Sequence, residues 1–436
     1  MSRWERELEA EALKRGRVEM DKRLASLPPE NGKPKPCPLC GKLARVRARG
    51  VARTFTSMWG THTFSRDYHY CERCKEGFYP RDQFLMLPKE GALTNDVESR
   101  IADFALNDPF EQAEQRWRFH YRQLPVSSNQ FRQVAKRLGQ QVDECDEALL
   151  QSALKPPEPQ PPEQLYVLAD GGMVPMRGPG VWREVKVGVV FREEHHTTSR
   201  AGRRGNVSEA RYCAVLGSQE TFKEHMRAAL QVEGAGAANR VVWLADGAPE
   251  NWLLASLLCP RAIQILDWYH AIEHAAECGK AVLGEGAAGL GSWVSRAEQL
   301  LLSGSFDALT GEITDCLTLA ETSQQREALE GLLGYYRSNR DRMAYADFRA
   351  RGLLIGSGIV ESAHRHVIQV RMKRAGQHWC DRGGRQMARL RAAYRTSGPE
   401  RFHASVRWAH RKTAQTQRFR PRRTKCDLRR RGMANR

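Results

Sequence analysis

Three acidic residues occur where the sequence pattern favours a shared metal site. Asp170 follows the apolar run LYVLA and precedes two glycines, and Asp246 ends the run VVWLAD before another glycine. Carboxylates brought close together repel each other unless a cation lies between them. Mg2+ prefers oxygen ligands of this kind, and two such ions roughly 3.5 to 4 Å apart support in-line displacement at phosphorus. The two aspartates are therefore candidates for metal-dependent phosphoryl transfer.

A third acid, Glu361, lies in the stretch GSGIVESAHRHVIQVRMKRAGQHW, where Ser357 is suited to start a helix. The apolar side of that helix would be formed by Val360, Ala363, Val367 and Val370. Glu361 adjoins this side near the helix start and is expected to point at the two aspartates. Asp-Gly after a strand is also an ordinary turn signal, so neither aspartate identifies a site by itself. The prediction rests on the three acids together.

The order of predicted elements indicates how these acids would meet. Apolar β-rich runs at 165–169, 185–191 and 211–216 suggest three antiparallel strands, and runs at 241–246 and 263–268 alternate with helices, as parallel strands require. This is the RNase H-like order, in which the first and fourth strands lie side by side at the sheet centre. Residues 270 to about 350 are rich in Ala, Leu, Glu and Gln and predict an all-helical insertion.

The stretches YVLADGG, VVWLADGAPENW, ILDWYHAIEH and the Glu361 segment resemble, in content and order, the DDE transposases of bacterial insertion sequences. The resemblance is to the ISKra-type family and, more distantly, to the Mutator-like transposases, and it covers about 165 to 395. It implies that Asp170, Asp246 and Glu361 are catalytic residues that bind Mg2+ or Mn2+. It also implies that Asp267 and His270 support the active site. A purely structural role is the alternative for His270.

Beyond Glu361 the predicted helix carries cations and an aromatic ring that could hold phosphates and stack on an unpaired base. A solvated basic helix face is the alternative interpretation. The candidate DNA-binding residues here are His364, Arg365, Arg371, Lys373, Arg374 and Trp379.

Four of the 11 cysteines form two CxxC pairs, Cys37 with Cys40 and Cys71 with Cys74. Two such pairs are the spacing by which four thiolates hold one tetrahedral Zn2+, and four thiolates leave no position open for water, so the predicted zinc is structural. The pairs are 30 residues apart, longer than usual, which predicts a zinc ribbon with an extended β excursion. His62 and His69 lie between the pairs and are less favoured alternative ligands.

Three short amphipathic segments between 97 and 150 predict helices. They suit a helix-turn-helix with 128–138 as the recognition helix, and a plain three-helix packing unit is the alternative. The side chains expected to reach DNA from this helix are Gln130, Arg132, Gln133, Lys136 and Arg137.

The composition favours a polyanionic partner. The 436 residues contain 69 Lys or Arg against 51 Asp or Glu, a formal charge of +18. No apolar run approaches the roughly 18 residues that span a bilayer, and the charged N-terminus lacks the features of a secretory signal. We expect a cytoplasmic bacterial protein, nucleoid-associated when bound, that acts on double-stranded DNA without a membrane partner.

The predicted fold is α/β, an RNase H-like core with an all-helical insertion, preceded by a zinc ribbon and a helical domain. The chain is expected to divide into an N-terminal helix (1–30), a zinc-ribbon module (31–90), a helical DNA-binding domain (91–152), a proline-rich linker (153–163), a first core segment (164–270), a helical insertion (271–350), a second core segment (351–400) and a basic C-terminal tail (401–436).

The predicted function is Mg2+-dependent cleavage and strand transfer at the terminal inverted repeats of an insertion sequence, with insertion into target DNA. Because two element ends must be joined, a homodimer or larger synaptic assembly is expected. One alternative is an RNase H-like nuclease or resolvase that cleaves without joining. The other is a zinc-dependent DNA-binding protein without chemistry.

Overall fold

The structure is a computed structural model that describes residues 2–88, 91–198, 205–356 and 358–419. It contains two compact units, Met1–Ala135 and Lys136–Arg436. The division falls inside a helix, whereas the sequence places the main domain boundary at the proline-rich residues 153–163. Ser357, the predicted helix start, and the last 17 residues of the predicted basic tail, 420–436, lie outside the described residues.

The first unit is built around a four-stranded antiparallel sheet in the order β1-β2-β3-β4. Its strands are β1 (Lys35–Pro36), β2 (Leu43–Ser57), β3 (Gly60–Cys71) and β4 (Glu76–Phe78). The long β2–β3 hairpin fills the gap between the two cysteine pairs. The N-terminal helix α1 (Ser2–Ala25) packs Leu24 against Phe55 and Phe64 of this hairpin, and a short helix α2 (Pro80–Phe84) follows the sheet.

Three helices follow, α3 (Asn95–Asn107), α4 (Phe110–His120) and α5 (Ser128–Glu144). They cover the three amphipathic segments seen in the sequence. Their shared core is aromatic, because the Trp117 ring lies 5.6 Å from Phe104 and 5.9 Å from Phe131 between ring centroids. The Trp117 indole also donates a hydrogen bond to the Leu124 carbonyl at 2.7 Å, which fixes the turn between α4 and α5.

The second unit has mixed α/β architecture around a five-stranded sheet in the order β11-β10-β5-β6-β9. The strands are β5 (Gln164–Pro175), β6 (Trp182–Arg192), β9 (Arg211–Val215), β10 (Arg240–Ala245) and β11 (Ile263–Leu266), with β7 (His196–Thr198) and β8 (Gly205–Val207) forming a separate hairpin. β6 is antiparallel to both of its neighbours, β5 and β9, and β10 is parallel to both β5 and β11. The first and fourth apolar runs of the sequence therefore lie side by side.

Helices precede, connect and follow the strands of this sheet. They are α6 (Glu147–Leu154), α7 (Gln219–Val232), α8 (Pro249–Leu258), α9 (Trp268–Leu283), α10 (Leu290–Leu302), α11 (Phe306–Thr318), α12 (Ser323–Ser338), α13 (Tyr345–Ala350), α14 (Gly358–Ala363), α15 (Val370–Met372) and α16 (Asp381–Phe419). In the described part of the chain, five of them, from α9 to α13, lie between the last strand of the sheet and the Glu361 segment. A π-helical segment, His364–Gln369, joins α14 to α15, and α16 bends at Gly398, whose φ is 72°. Among the described residues, no helix has the length and apolar character needed to cross a membrane.

A buried ion cluster fastens the sheet of the second unit to its helices. The Glu233 carboxylate, at the end of α7, forms ion pairs with Arg211 at 2.7 Å and with Arg192 at 3.3 Å. The Lys155 ammonium lies 3.5 Å from the same carboxylate. Arg211 also donates to the carbonyls of Gln151 and Lys155, both at 2.6 Å. These contacts hold the start of the proline-rich segment inside the second unit.

Candidate functional site

Asp170 and Asp246 lie at equivalent positions on two adjacent parallel strands, just beyond the last pair of residues that the two strands align. The β5–β10 ladder ends with Leu168 opposite Leu244, and each aspartate comes two residues later. Neighbouring strands are about 4.8 Å apart, so the two carboxylates emerge side by side at the carboxyl edge of the sheet. Burial raises the pKa of Asp170, His364 lowers it, and the charge of Asp246 raises it. Its ionised form is therefore disfavoured unless further positive charge is nearby.

Asp246 is held in place by its own loop and by α12. Its Oδ1 accepts hydrogen bonds from the Ala248 amide at 3.0 Å and from the Asn251 side-chain amide at 2.9 Å. The Tyr335 hydroxyl donates to the Asp246 carbonyl at 2.8 Å. Gly247 has a φ of 95°, and a Cβ there would lie 2.7 Å from the Tyr335 hydroxyl, so this turn requires glycine.

Glu361 lies on the short helix α14 and is exposed. It lines a cavity of about 1190 Å3 together with Asp170, while Asp246 lines a second cavity of about 620 Å3 with Asp170. Asp170 thus belongs to both cavities. Among described residues, the oxygens of these three acids do not form a group lying within 4.8 Å of one another. The two aspartates line the smaller cavity together with Glu250, whereas Glu361 lines only the larger cavity, with Asp170.

His364 contacts Asp170 directly, a position that the sequence did not indicate. Its Nε2 lies 3.2 Å from the Asp170 carbonyl oxygen and 3.5 Å from the carboxylate, and the imidazole is buried. The ring packs over Gly172, where a Cβ would lie 2.8 Å from the ring. The second glycine after Asp170 therefore makes room for this histidine. A glycine after a strand-end acid is a signal of such close packing, but it does not name the partner.

The π-helical segment that begins at His364 is supported by a buried arginine. Arg391 of α16 donates from Nε to the Val367 carbonyl at 2.8 Å, and its Nη2 donates to the His366 carbonyl. A π-helical turn leaves carbonyls without their usual helical partners, and the guanidinium satisfies two of them. Burial and the neighbouring Arg395 lower the pKa of Arg391 to about 10. Arg391 thus helps to fix the chain that follows Glu361.

Asp267 and His270 are placed at the start of α9 beside the carboxylates. Asp267 is fully buried and caps the helix, accepting from the amides of Tyr269 at 2.6 Å and His270 at 3.1 Å. Asp267, and to a lesser extent Asp246 and Asp170, raise the pKa of His270 to about 9 against the effect of burial. The imidazole is therefore cationic at neutral pH and faces the two aspartates. The Trp268 amide also donates to the Ile355 carbonyl at 2.8 Å, which ties α9 to the segment before α14.

Basic side chains surround the acids of the larger cavity. Arg349, Arg365 and Lys373 line it, while Arg374 donates from Nε to the Val370 carbonyl at 2.7 Å. Arg371 and Trp379 differ from the exposed surface expected of them, because both are buried and the Arg371 guanidinium lies 5.1 Å from the Trp379 ring centroid. These two side chains are therefore not available to contact DNA.

The four paired cysteines form a compact cluster in the first unit. Cys37 and Cys74 are 3.9 Å apart between sulfurs, and Cys40 and Cys71 are 3.6 Å apart. All four sulfurs lie within 4.8 Å of one another, an arrangement compatible with metal binding. His62 and His69 are engaged elsewhere: His62 contacts Asp21 and Ser57, and His69 contacts the Lys33 carbonyl.

A second group that could hold a metal ion consists of Glu158, His195 and Glu209. The Lys155 ammonium already lies 3.3 Å from both glutamates. A cation is thus present among these acids without any metal.

The five residues proposed to read DNA from 128–138 lie on α5, which continues to Glu144. Arg132, Gln133 and Lys136 are exposed, and Arg137 is half-buried. Gln130 is exposed but accepts hydrogen bonds from Ser127, which caps the helix start. Arg132 lies 3.8 Å from Glu111 and packs over the Phe110 ring.

Comparisons with known proteins show the family of this chain. The model of the Uncharacterised protein family (UPF0236) matches residues 45–412, so the chain belongs to that family. A relative described as "UPF0236 protein in vanSb 3'region", from Streptococcus gallolyticus, is 23% identical over 359 residues, which are 81% of this chain and 74% of the relative. Among solved structures, the chain is similar to the Drosophila P element transposase strand transfer complex, with 10% identity, a TM-score of 0.35 and coverage of 71% of this chain and 93% of that one.

Proposed function

We propose that this member of the UPF0236 family is a DDE-type transposase that cuts and joins DNA by metal-dependent phosphoryl transfer. The observation that carries the proposal is the pair of aspartates, Asp170 and Asp246, at the same level on adjacent parallel strands. The sheet order, three antiparallel strands followed by two parallel ones, is the order expected of an RNase H-like core. The resemblance of the site segments to ISKra-type transposases supports the same assignment and remains a prediction.

The donor set fits a hard divalent cation such as Mg2+ or Mn2+. Asp170 and Asp246 offer carboxylate oxygens side by side, and the raised pKa of Asp170 reflects burial and like charge that a cation would offset. Asp170, Asp246 and Glu361 would hold the metal ions, which would supply activation of the attacking oxygen and stabilisation of the leaving oxygen. Glu361 must approach the aspartates to take part.

The residues around the acids are suited to a nucleic-acid strand. Arg349, Arg365 and Lys373 line the cavity that contains Asp170 and Glu361, and phosphate groups bind such cations. His270, cationic at neutral pH, faces the aspartates and can donate a hydrogen bond to a phosphate oxygen held between them. Asp267 fixes the start of the helix that carries His270 and thus acts as a positioning residue.

The cysteine cluster is proposed to hold a structural Zn2+. With Zn–S bonds of about 2.3 Å, the edge of a tetrahedron of thiolates is about 3.8 Å long. The Cys37–Cys74 and Cys40–Cys71 sulfur separations, 3.9 and 3.6 Å, lie on either side of this value. The cluster and the exposed side chains of α5 would bind the terminal repeats of double-stranded DNA, and a homodimer or larger assembly would hold two ends together.

The test is strand transfer of labelled DNA that carries the repeats flanking the gene. Native protein is compared with Glu361→Gln and Glu250→Gln, with Mg2+ and with EDTA. The proposal expects joining that requires Mg2+ and Glu361 and survives Glu250→Gln. The Glu250 variant is the matched control because Glu250 is also exposed and lines the smaller cavity with both aspartates.

Each other outcome points to a different assignment. Cleavage without joining would indicate a nuclease or resolvase, and binding of the repeats without chemistry would indicate a DNA-binding regulator. Loss of joining in Glu250→Gln but not in Glu361→Gln would make Glu250 the third acid.

A further inference from the structure

The strands that carry Asp170 continue past the sheet as a hairpin. The β5–β10 ladder ends at Leu168 and the β6–β9 ladder ends at Lys186, yet β5 and β6 remain paired as far as Pro175 opposite Trp182. Residues 171–175 and 182–185 therefore form a two-stranded extension that starts at the proposed catalytic aspartate. A turn containing Gly178 and Gly180, with φ of 112° and 67°, closes it.

The tip of this hairpin is both apolar and cationic. Trp182 is 51% exposed and Val181 is 43% exposed. Residues 171–185 contain two arginines and one acidic residue, Glu184, whose carboxylate lies 3.1 Å from the Lys186 ammonium. Arg177 is exposed, and among the described residues its side chain has no ion-pair partner. An exposed indole beside an unpaired guanidinium is the combination that binds a nucleic-acid strand by base stacking and phosphate contact.

The backbone of the hairpin is fastened to the segment that precedes α16. The Arg177 amide donates to the Trp379 carbonyl at 2.9 Å, and the Trp379 amide donates to the Pro175 carbonyl at 3.1 Å. Arg183, next to Trp182, forms an ion pair with Asp381 at the start of α16. The backbone that carries Trp182 therefore loses little conformational freedom when a ligand binds, which favours affinity.

Trp182 shares one face of the hairpin with residues that line the smaller cavity, whereas the Asp170 side chain belongs to the opposite face, with Gly172. Residues directly opposite in an antiparallel pair share a face, so Trp182, opposite Pro175, lies on the face of Gly171 and Met173. Gly171, Met173 and the adjacent Lys186 line the cavity that contains Asp170 and Asp246. Five residues of strand separate position 170 from position 175, about 17 Å. This distance equals about five base steps of stacked DNA.

We infer that Trp182 stacks on an unpaired base of a DNA strand about five nucleotides from the phosphate held at Asp170, with Arg177 contacting the adjacent phosphate. The choice of DNA rests on the proposed function, and the surface itself rests on the exposure and charge of the hairpin. Trp379, the aromatic residue that the sequence suggested for this role, is buried and donates its indole hydrogen to the Met372 carbonyl at 3.1 Å.

The test is equilibrium binding of the full chain, in EDTA, to forked DNA with an unpaired arm and to blunt duplex of the same length. Loss of one stacked base predicts that Trp182→Ala weakens fork binding by about 5- to 100-fold, with a smaller loss for Trp182→Phe. A 2-aminopurine moved along the unpaired arm should be quenched at one position by native protein and not by Trp182→Ala. Trp408→Ala is the matched control, since Trp408 is 41% exposed and lies on α16.

Fork binding unchanged in a folded Trp182→Ala protein would overturn the inference. So would an equal loss for fork and duplex, an equal loss in Trp408→Ala, or a changed oligomeric state with unchanged DNA binding, which would make the hairpin a contact between copies of the chain. Asp170→Asn separates the two proposals: it should retain Trp182-dependent binding while losing chemistry. Trp182-dependent binding in a native protein without Mg2+-dependent cleavage would leave this inference standing and reject the proposed function.

Discussion

The cysteine cluster of the first unit and the carboxylate site of the second unit differ in how far the protein alone assembles them. The four sulfurs of Cys37, Cys40, Cys71 and Cys74 all lie within 4.8 Å of one another. In the carboxylate site, Asp170 and Asp246 follow the same ladder pair, but among described residues Glu361 does not form a group with them within 4.8 Å. One site is gathered completely by the fold, and the other is gathered in two of its three acids.

Charge accounts for this difference. Thiols are neutral when protonated, so four of them can pack together at the end of one hairpin without strong repulsion. Carboxylates are charged at neutral pH, and burial and the charge of Asp246 already raise the pKa of Asp170, so a third carboxylate beside them would add further repulsion. A closed site suits a structural role, whereas a site with an exposed third acid suits a reaction in which substrate must enter and leave.

The largest expected effect comes from breaking the cysteine cluster. We expect Cys71→Ser to lose about one equivalent of zinc and to unfold the β2–β3 hairpin, because zinc binding contributes on the order of 10 kcal/mol in small zinc modules. Metal analysis combined with thermal melting measures both effects. Cys145→Ser is the control, since Cys145 is a half-buried free thiol outside the cluster. Full zinc content in Cys71→Ser would show that Cys71 is not a zinc ligand and would contradict the assignment of the cluster as a zinc site.

The carboxylate site should lose activity without losing stability. We expect Asp170→Asn to lower Mg2+-dependent joining by about 10,000-fold, the scale seen when a catalytic group is removed. Because burial and Asp246 disfavour the Asp170 carboxylate, the metal-free variant should melt at the same temperature as native protein or higher. Activity assays and thermal melts in EDTA test the two effects. A variant that melts lower would mean that Asp170 supports the fold.

Breaking the buried ion cluster should affect stability and not the site. Burial raises the pKa of Glu233, but Arg211 and Lys155 outweigh it, so the pKa is lowered. We expect Glu233→Gln to cost about 3 to 5 kcal/mol of unfolding free energy at neutral pH. A lowered carboxyl pKa contributes stability above the unfolded value, about 4.3, and loses it as the pH falls through the folded value. Urea unfolding at pH 7 and pH 3.5 should show the native advantage shrink; a constant difference would contradict this account.

The smallest expected effect tests how His364 positions Asp170. We expect Gly172→Ala to weaken Mg2+ binding by about 10-fold, since its Cβ would lie 2.8 Å from the buried imidazole. Gly171→Ala is the matched control, because its Cβ would meet only the exposed end of Glu184, which can move aside. Calorimetric titration of Mg2+ into both variants gives the comparison. Equal weakening in the two would show that His364 does not position the acid.

Much of the architecture follows from local sequence. The apolar run before Asp170 forms the first half of β5, which continues to Pro175, and the run before Asp246 forms β10. The predicted adjacency of those strands is present in the sheet. The helices α7 and α8 lie before and after β10 in the chain, as the predicted alternation of these strands with helices requires. These features depend on hydrophobic periodicity and turn residues, which act over a few positions.

The partners of the site residues could not be read in this way. Asn251, which fixes Asp246, follows it by five residues and looks like an ordinary helix-start residue. Tyr335 reaches the Asp246 carbonyl from 89 residues away, and His364 reaches Asp170 from 194 residues away. A single sequence contains no signal for contacts between such distant positions.

The sequence by itself determined which residues are available for chemistry and on which kind of element each one lies, because strand periodicity and CxxC spacing are local. Only the tertiary structure decided which of them share a cavity, that Arg371 and Trp379 are buried, and that Trp182 is exposed. The physical reason is that burial and proximity depend on how helices and strands distant in sequence pack, and that packing minimises a free energy to which the whole unit contributes.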